Sequence, residues 1–167
     1  MSQQRTGFGM MLAAAVGFLL LLTFVFSGLI EDRSNPNRQV ASSRVNGSIE
    51  VVLESDRQGH FIASGAISGR EVTFLVDTGA TLVSVPEDLA DRLGLERMAR
   101  IGLETAAGPV TGWMTRLDEV RLGDIVQRDV RAAISPARSE TVLLGMSFLK
   151  NLEMTQSGGR LRLVARI

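Results

Sequence analysis

The hydrophobic pattern of the chain begins with one long apolar segment. Residues 7–30, GFGMMLAAAVGFLLLLTFVFSGLI, contain no charged side chain. About 20 apolar residues are enough for a helix to cross a bilayer, and the apolar core of a signal peptide is shorter, at roughly 7–15 residues. The pattern therefore predicts a transmembrane helix over residues 7–30, preceded by a short cytoplasmic tail over residues 1–6. A cleaved secretory signal is the alternative.

The residues that flank this segment indicate its orientation. Arg5 precedes it, whereas Glu31 and Asp32 follow it, so the positive-inside rule favours a cytoplasmic N-terminus. We expect a single-pass protein of the inner (cytoplasmic) membrane, with its C-terminal domain in the periplasm if the cell is Gram-negative. Residues 31–48, EDRSNPNRQVASSRVNGS, are polar and without a sustained period, which predicts a flexible linker.

From residue 49 onward, the pattern changes to short apolar runs that are separated by turn residues, as expected of β-strands and hairpins. The predicted strands include IEVVLES, HFIASGAI, EVTFLV and VQRDVRAAI, with further hairpins about TAAGPVTG and SGG near the C-terminus; TVLLGMSFLKNLEM is predicted to contain a buried strand, a turn and a short helical piece. One helix is predicted in PEDLADRLGLE, with Pro86 at its first position and Gly94 at its end. The pattern indicates an all-β domain over residues 49–167, a barrel-like or closed sandwich form with one or two short helices.

Composition excludes several kinds of function. The 18 Lys and Arg residues balance 18 Asp and Glu residues, so we expect no nucleic-acid partner. The absence of cysteine excludes disulfides, thiolate metal sites and a cysteine nucleophile. The single histidine, His60, opens a predicted strand and disfavours both a zinc site and a Ser-His-Asp triad. We expect neither a metal nor another cofactor.

One polar triplet, Asp77-Thr78-Gly79, interrupts the apolar run FLVDTGATLVSV, residues 74–85. Burial of a carboxylate among apolar residues costs free energy unless the charge is shared or bonded. A simple turn is the structural alternative, in which Asp77 accepts a backbone N–H and Gly79 takes a positive φ. The apolar residues on both sides instead favour a functional loop, which they would fix in place and shield from water.

The sequence FLVDTGAT resembles the active-site loop of retropepsin-like aspartic proteases. VLLGMSFL, residues 142–149, resembles the second signature of that family, and LETAAGPVTGWM lies where the family has its flap. GHFIASGAISGREVTF and PEDLADRLGL resemble the bacterial membrane-anchored branch. The resemblance covers most of residues 49–167 and implies a retropepsin-like closed barrel lobe.

The resemblance also implies an activity, the hydrolysis of peptide bonds in a polypeptide substrate. Asp77 would be the catalytic residue. The chain has one Asp-Thr/Ser-Gly triplet, whereas the family uses two aspartates on one water, so a homodimer is implied. RLRLVARI at the C-terminus would contribute to the dimer contact. The supporting roles are loop support by Thr78, Gly79 and Ala80, a flap of Ala106, Ala107, Gly108 and Pro109, and packing beside the active site by Leu143, Leu144 and Gly145.

Two non-catalytic hypotheses remain open at this point. A retropepsin fold could bind a polypeptide or serve envelope assembly without cleaving anything, because fold alone does not determine function. The chain could also act in envelope assembly through its anchor. The intact Asp77 triplet favours the enzyme, since a binding domain has no need of a carboxylate there. For Trp113, packing on its own lobe is favoured over stacking on a substrate.

Overall fold

The computed structural model describes residues 16, 18, 35–45, 47–105 and 108–166. The chain separates into two units between residues 34 and 35. In the first unit, the described residues Val16 and Phe18 are helical. The predicted tail and all the rest of the predicted span over residues 7–30 lie outside the described residues. Within the described part of the chain, no helix is both long and apolar enough to cross a membrane.

The second unit is an all-β domain, as predicted, with two short helices among its described residues. Its elements in chain order are β1 Ser42–Val45, β2 Ser48–Glu54, β3 Ile62–Ile67, β4 Arg70–Val76, β5 Val83–Pro86, α1 Glu87–Leu93, β6 Arg100–Thr105, β7 Gly108–Leu122, β8 Ile125–Ser135, β9 Thr141–Leu144, α2 Met146–Leu149, β10 Glu153–Ser157 and β11 Arg160–Arg166. The predicted hairpins and the helix that ends at Gly94 are confirmed; Pro86 precedes α1 rather than opening it.

Six strands close into a barrel in the order β3-β4-β9-β5-β8-β7, because β7 also pairs with β3. β6 continues the sheet beyond β7. Two of the pairings, β4 with β9 and β5 with β8, are parallel, and the sequence pattern did not predict them. Parallel strands end at the same edge of a sheet. The loops that follow β4 and β9 therefore leave the barrel side by side.

The barrel interior is filled by apolar side chains, which alternate with outward-facing residues along much of the sheet. Phe74 and Phe148 are the largest fully buried side chains, and burial of each is worth about 1.5–3 kcal/mol. Gly65 makes room for this packing, since a Cβ there would lie 2.6 Å from Cε2 of Phe74. The tight core fixes the strand ends on which the Asp77 loop is mounted.

A second sheet has the strand order β1-β2-β11-β10. It corrects the prediction of a flexible linker over residues 31–48, because β1 lies inside that range. Asn37, in the same range, is buried: its side chain donates to the carbonyls of Glu54 (2.9 Å) and Ile62 (2.6 Å) and accepts the Glu54 N–H (2.7 Å). Polar residues here satisfy backbone groups of the domain, so polarity did not signal a free linker.

The position of β11 limits how it could contribute to the predicted dimer contact. RLRLVARI was predicted to contribute to a dimer contact, but β11 is paired on both edges, with β2 and with β10. It has no free edge for a strand of a second chain. On its exposed face, Arg160 and Arg162 form ion pairs with Glu54 and Glu50 of the same chain. A dimer contact through β11 would therefore have to use its exposed face rather than its edges, and it stays a prediction.

Candidate active site

Asp77 is the first residue after β4, and its surroundings hold it in a tight turn. Its backbone N–H donates to the carbonyl of Leu144 at the end of β9 (3.2 Å). Its Oδ1 accepts the Gly79 N–H at 2.8 Å, and its carbonyl accepts the Ala80 N–H at 3.3 Å. The side chain thus forms an Asx-type turn. Gly79 stays outside the left-handed region, and a Cβ on it would lie 3.2 Å from Oδ1.

The tip of this loop points to solvent in the single chain. Asp77 is partly exposed, and Thr78 and Gly79 are exposed. The apolar residues around the triplet, such as Phe74 and Val83, are fully buried in the barrel and do not cover the carboxylate. The expectation that the apolar frame shields the loop from water is therefore wrong for one chain. The frame instead anchors both ends of the loop and leaves its tip free.

The turn between β9 and α2 braces the far end of the loop. Met146 N–H donates to the Ala80 carbonyl at 2.7 Å, and Ser147 N–H donates to the Thr81 carbonyl at 3.0 Å. A Cβ on Gly145 would lie 2.6 Å from the Ala80 oxygen, so only glycine fits at this contact. The structure thus places Gly145 against the loop, directly after Leu143 and the fully buried Leu144.

Ser147 is a residue of this site that sequence reasoning missed. Its Oγ accepts the backbone N–H of Val83 at 2.9 Å, which fixes the point where the loop becomes β5. One serine within the run GMSFL gives no sequence signal of such a role, because its partner lies 64 residues away.

The β6–β7 hairpin occupies the predicted flap position. Leu103 pairs with Val110 and Thr105 with Gly108, while Ala106 and Ala107 lie outside the described residues. Gly108 has a φ of +107°, which side chains rarely tolerate. One face of the hairpin is apolar and partly buried, formed by Ile101, Leu103 and Val110; Pro109 belongs to the exposed face with Gly102, Glu104 and Thr111.

Two residues considered in the sequence analysis, Trp113 and His60, make contacts that indicate structural roles. Trp113 packs against the barrel core, as predicted, with the Arg100 guanidinium 4.9 Å from its ring centroid. The exposed His60 lies with Nδ1 3.6 Å from Asp56 Oδ2 at a turn. Within the described residues, no three His, Asp or Glu side chains converge into a group that could hold a metal ion.

Comparison with known proteins places this geometry in context. The family described as "gag-polyprotein putative aspartyl protease" matches residues 63–151. An uncharacterized protein in the cobV 5' region of Sinorhizobium sp is 32% identical over 125 residues, which cover 72% of this chain and 54% of that protein. The chain therefore spans about half the length of that relative.

Two solved structures are also similar. A retropepsin-like aspartic protease from Rickettsia conorii has 20% identity and a TM-score of 0.59, over 76% of this chain and 94% of its own. EIAV protease in complex with the inhibitor HBY-793 has 18% identity and a TM-score of 0.46, over 55% and 86%. The likeness to the Rickettsia conorii structure confirms the retropepsin-like fold.

Proposed function

Because the chain belongs to the family of gag-polyprotein aspartyl proteases, we propose that it is an aspartic endopeptidase. The observation that supports this proposal most strongly is the setting of Asp77. Its Oδ1 is fixed by the Gly79 N–H, and no described residue donates to its Oδ2. The carboxylate is oriented, partly exposed and free to bind a water molecule. Its loop is braced at both ends, as preorganised catalysis requires.

A second carboxylate must come from a second copy of the chain. Peptide hydrolysis on a single water needs a base and an acid at the same time, and each chain carries one Asp-Thr-Gly triplet. A two-fold axis would bring Asp77 of both copies together. The exposed Thr78 and Gly79 support this arrangement, because they leave the loop tip accessible to a partner. Thr78 would then hydrogen-bond across the axis and brace both loops.

The two carboxylates would divide the chemistry by sharing one proton, because like charges at such short range do not both ionise. The ionised Asp77 takes a proton from the water as the water oxygen bonds to the peptide carbonyl carbon. The protonated Asp77 donates its proton to the carbonyl oxygen. The carbon–nitrogen bond then breaks while a proton passes to the leaving nitrogen.

The hairpin would close over an extended polypeptide substrate. Its apolar face, with Leu103 and Val110, would cover the reacting peptide bond and exclude water. A glycine at its tip allows the hinge movement that such closure needs. The flap, including Ala106 and Ala107, therefore forms part of the proposed enzyme.

The proposed location is the inner membrane. The support is the uncharged segment over residues 7–30 together with its flanking charges, which favour a single-pass anchor with the enzyme domain in the periplasm. Confinement to one membrane would raise the effective concentration of the chains and so favour their pairing.

The experiment that tests this function is turnover of an unfolded, fluorescently labelled protein by the full chain in detergent micelles. Asp77→Asn should lower kcat/KM by about 10²–10⁴-fold, the usual contribution of a general acid or base. The matched control is Asp118→Asn, an exposed carboxylate on β7, which should leave turnover unchanged. Equal turnover by Asp77→Asn and wild type would reject the catalytic role. Tight binding of the unfolded protein without any cleavage would support the non-catalytic alternative, including a role in envelope assembly.

A further inference from the structure

A cavity of about 350 Å³ opens beside the Asp77 loop. Thr81 and Leu82, which continue the loop, form one side together with Met146 and Ser147 at the start of α2. The opposite side is β8, over residues 127–131, and Lys150 and Asn151 complete the lining. The cavity is therefore built in part from the segment that holds the catalytic loop, although Asp77 itself does not line it.

The backbone of β8 departs from regular strand geometry at this cavity. Asp129 has a φ of +58°, a left-handed conformation that is uncommon for residues other than glycine. In the register of β7 with β8, Leu117 pairs with Val130 and Glu119 pairs with Arg128. Asp118 and Asp129, which lie between these pairs, do not pair with each other. The side chain of Asp129 forms an ion pair with Arg116 at 2.6 Å. The only carboxylate in the lining is thus already engaged.

Two cations in the lining are left without a counter-charge. Arg128 pairs with Glu119 at 3.1 Å, whereas the side chains of Arg131 and Lys150 form no ion pair or hydrogen bond with any described residue. Arg131 also lies directly across the sheet from another cation, Arg116, and the nearby carboxylate of Asp129 is paired with Arg116. Since the whole chain has equal numbers of acidic and basic residues, this excess of positive charge is local.

The two amide side chains that line the cavity, Gln127 and Asn151, do not offset the positive charge, because they are neutral and hydrogen-bond to each other. The Gln127 side chain donates to the Phe148 carbonyl at 2.8 Å and accepts from the Asn151 amide at 3.0 Å. Unpaired cations in a concave, protein-walled site concentrate the field and attract anions. A carboxylate is the anion that a polypeptide supplies.

The distance to the catalytic loop indicates which carboxylate this would be. Thr81 is four residues after Asp77, so their Cα atoms are at most about 14 Å apart. A peptide bound in extended form advances about 3.3 Å per residue. A side chain within about four residues of the scissile bond is therefore within reach of the cavity.

We propose that this cavity is a substrate subsite for an aspartate or glutamate side chain, bound by Arg131 and Lys150. The inference rests on the proposed peptidase function and adds its substrate preference. In a two-fold dimer the subsite is present twice, so acidic residues are preferred on both sides of the scissile bond. The preference comes from charge and weakens as ionic strength rises.

The test begins with cleavage of a peptide library by the full chain in detergent micelles. Wild type should favour Asp and Glu within about four residues of the cut, on both sides. Arg131→Gln/Lys150→Gln should lose this preference through a KM for acidic peptides that rises about fivefold to tenfold, with kcat little changed. The matched control, Arg44→Gln/Arg57→Gln, removes two exposed cations elsewhere and should keep the preference. Cleavage by wild type with no acidic preference would overturn the subsite and leave the peptidase function standing.

A binding measurement keeps the subsite testable without catalysis. The full chain with Asp77→Asn is titrated with a labelled acidic peptide and with its Asp-to-Asn, Glu-to-Gln counterpart, and fluorescence anisotropy gives both Kd values. We expect the acidic peptide to bind about fivefold to tenfold more tightly, and this ratio to fall to about one when Arg131→Gln/Lys150→Gln is added. Equal affinities at the outset, or a ratio that survives the double substitution, would overturn the proposal. Failure of the peptidase function would appear separately, as absence of cleavage by wild type.

Discussion

Gly145→Ala tests the contact between the β9–α2 turn and the Asp77 loop. The added Cβ would stand 2.6 Å from the carbonyl oxygen of Ala80 and 2.7 Å from the carbonyl carbon of Leu82. Ordinary carbon–oxygen contacts begin near 3.4 Å, and these neighbours are backbone atoms that cannot rotate away. The Leu82 carbonyl oxygen is closer still, so relief requires the loop and α2 to separate by at least about 1 Å.

The size of the effect follows from that displacement. Overpacking of this kind costs typically about 1–3 kcal/mol of unfolding free energy. A domain with a stability of about 5–15 kcal/mol would remain largely folded after such a loss. A misplacement of about 1 Å at a catalytic group, however, costs about 10²-fold in rate. Activity should therefore fall much more than the folded fraction does.

The assay combines urea denaturation of the full chain in micelles with steady-state turnover of an unfolded protein. Gly102→Ala is the matched control, because a Cβ at Gly102 meets nothing within 4 Å and its φ lies outside the left-handed region. It should leave the midpoint of unfolding close to that of wild type. A Gly145→Ala protein with wild-type stability and wild-type turnover would refute the reasoning, because it would show that the loop tolerates the displacement.

Three further predictions concern other residues of the domain. Ser147→Ala leaves the buried Val83 N–H without the hydroxyl that it bonds at 2.9 Å, so urea denaturation should show a loss of about 1–3 kcal/mol; no loss would show that water replaces the hydroxyl. Gly108→Val places a β-branched residue at a φ of +107°, so steady-state kinetics should show slower turnover with a smaller change in stability, and unchanged kinetics would argue that this hairpin is not the flap. Burial raises the pKa of Asp56, but hydrogen bonds from the N–H groups of His60 and Gln58 outweigh it and lower the pKa overall. The lowered pKa stabilises the folded domain at pH values above the ordinary aspartate pKa of about 3.9, and this stabilisation is lost as pH falls through the lowered value. Asp56→Asn should therefore flatten the pH dependence of the unfolding free energy below about pH 4. An unaltered profile would contradict this.

How much of the fold could be predicted from the sequence depends on how far apart in the chain the interacting residues are. The hairpin β3–β4, the helix α1 and its end at Gly94 were predicted because their signals lie within a few residues. The parallel pairing of β4 with β9 joins Thr73 to Thr141, and no local pattern encodes it. Asn37 was assigned to a linker because its hydrogen-bond partners, at residues 54 and 62, are distant in sequence.

The same distinction applies to the candidate site. Asp77 could be singled out because its triplet interrupts a continuous apolar run. Ser147 and the cationic cavity could not, since each depends on side chains that only the fold brings together. The exposure of Thr78 and Gly79 was also missed, because apolar neighbours in sequence point into the barrel rather than over the loop.

The measurement that tests the shared active site most directly is a mixing experiment. Wild-type chains are mixed with Asp77→Ala chains in micelles under conditions that allow exchange, and turnover is measured per wild-type chain. Random pairing leaves about half of the wild-type chains with a wild-type partner at equal amounts, and about a quarter at a threefold excess of the variant. Activity per wild-type chain should fall in the same proportions. Activity that stays constant across all mixing ratios would show that one chain holds a complete site, and would contradict the proposed mechanism.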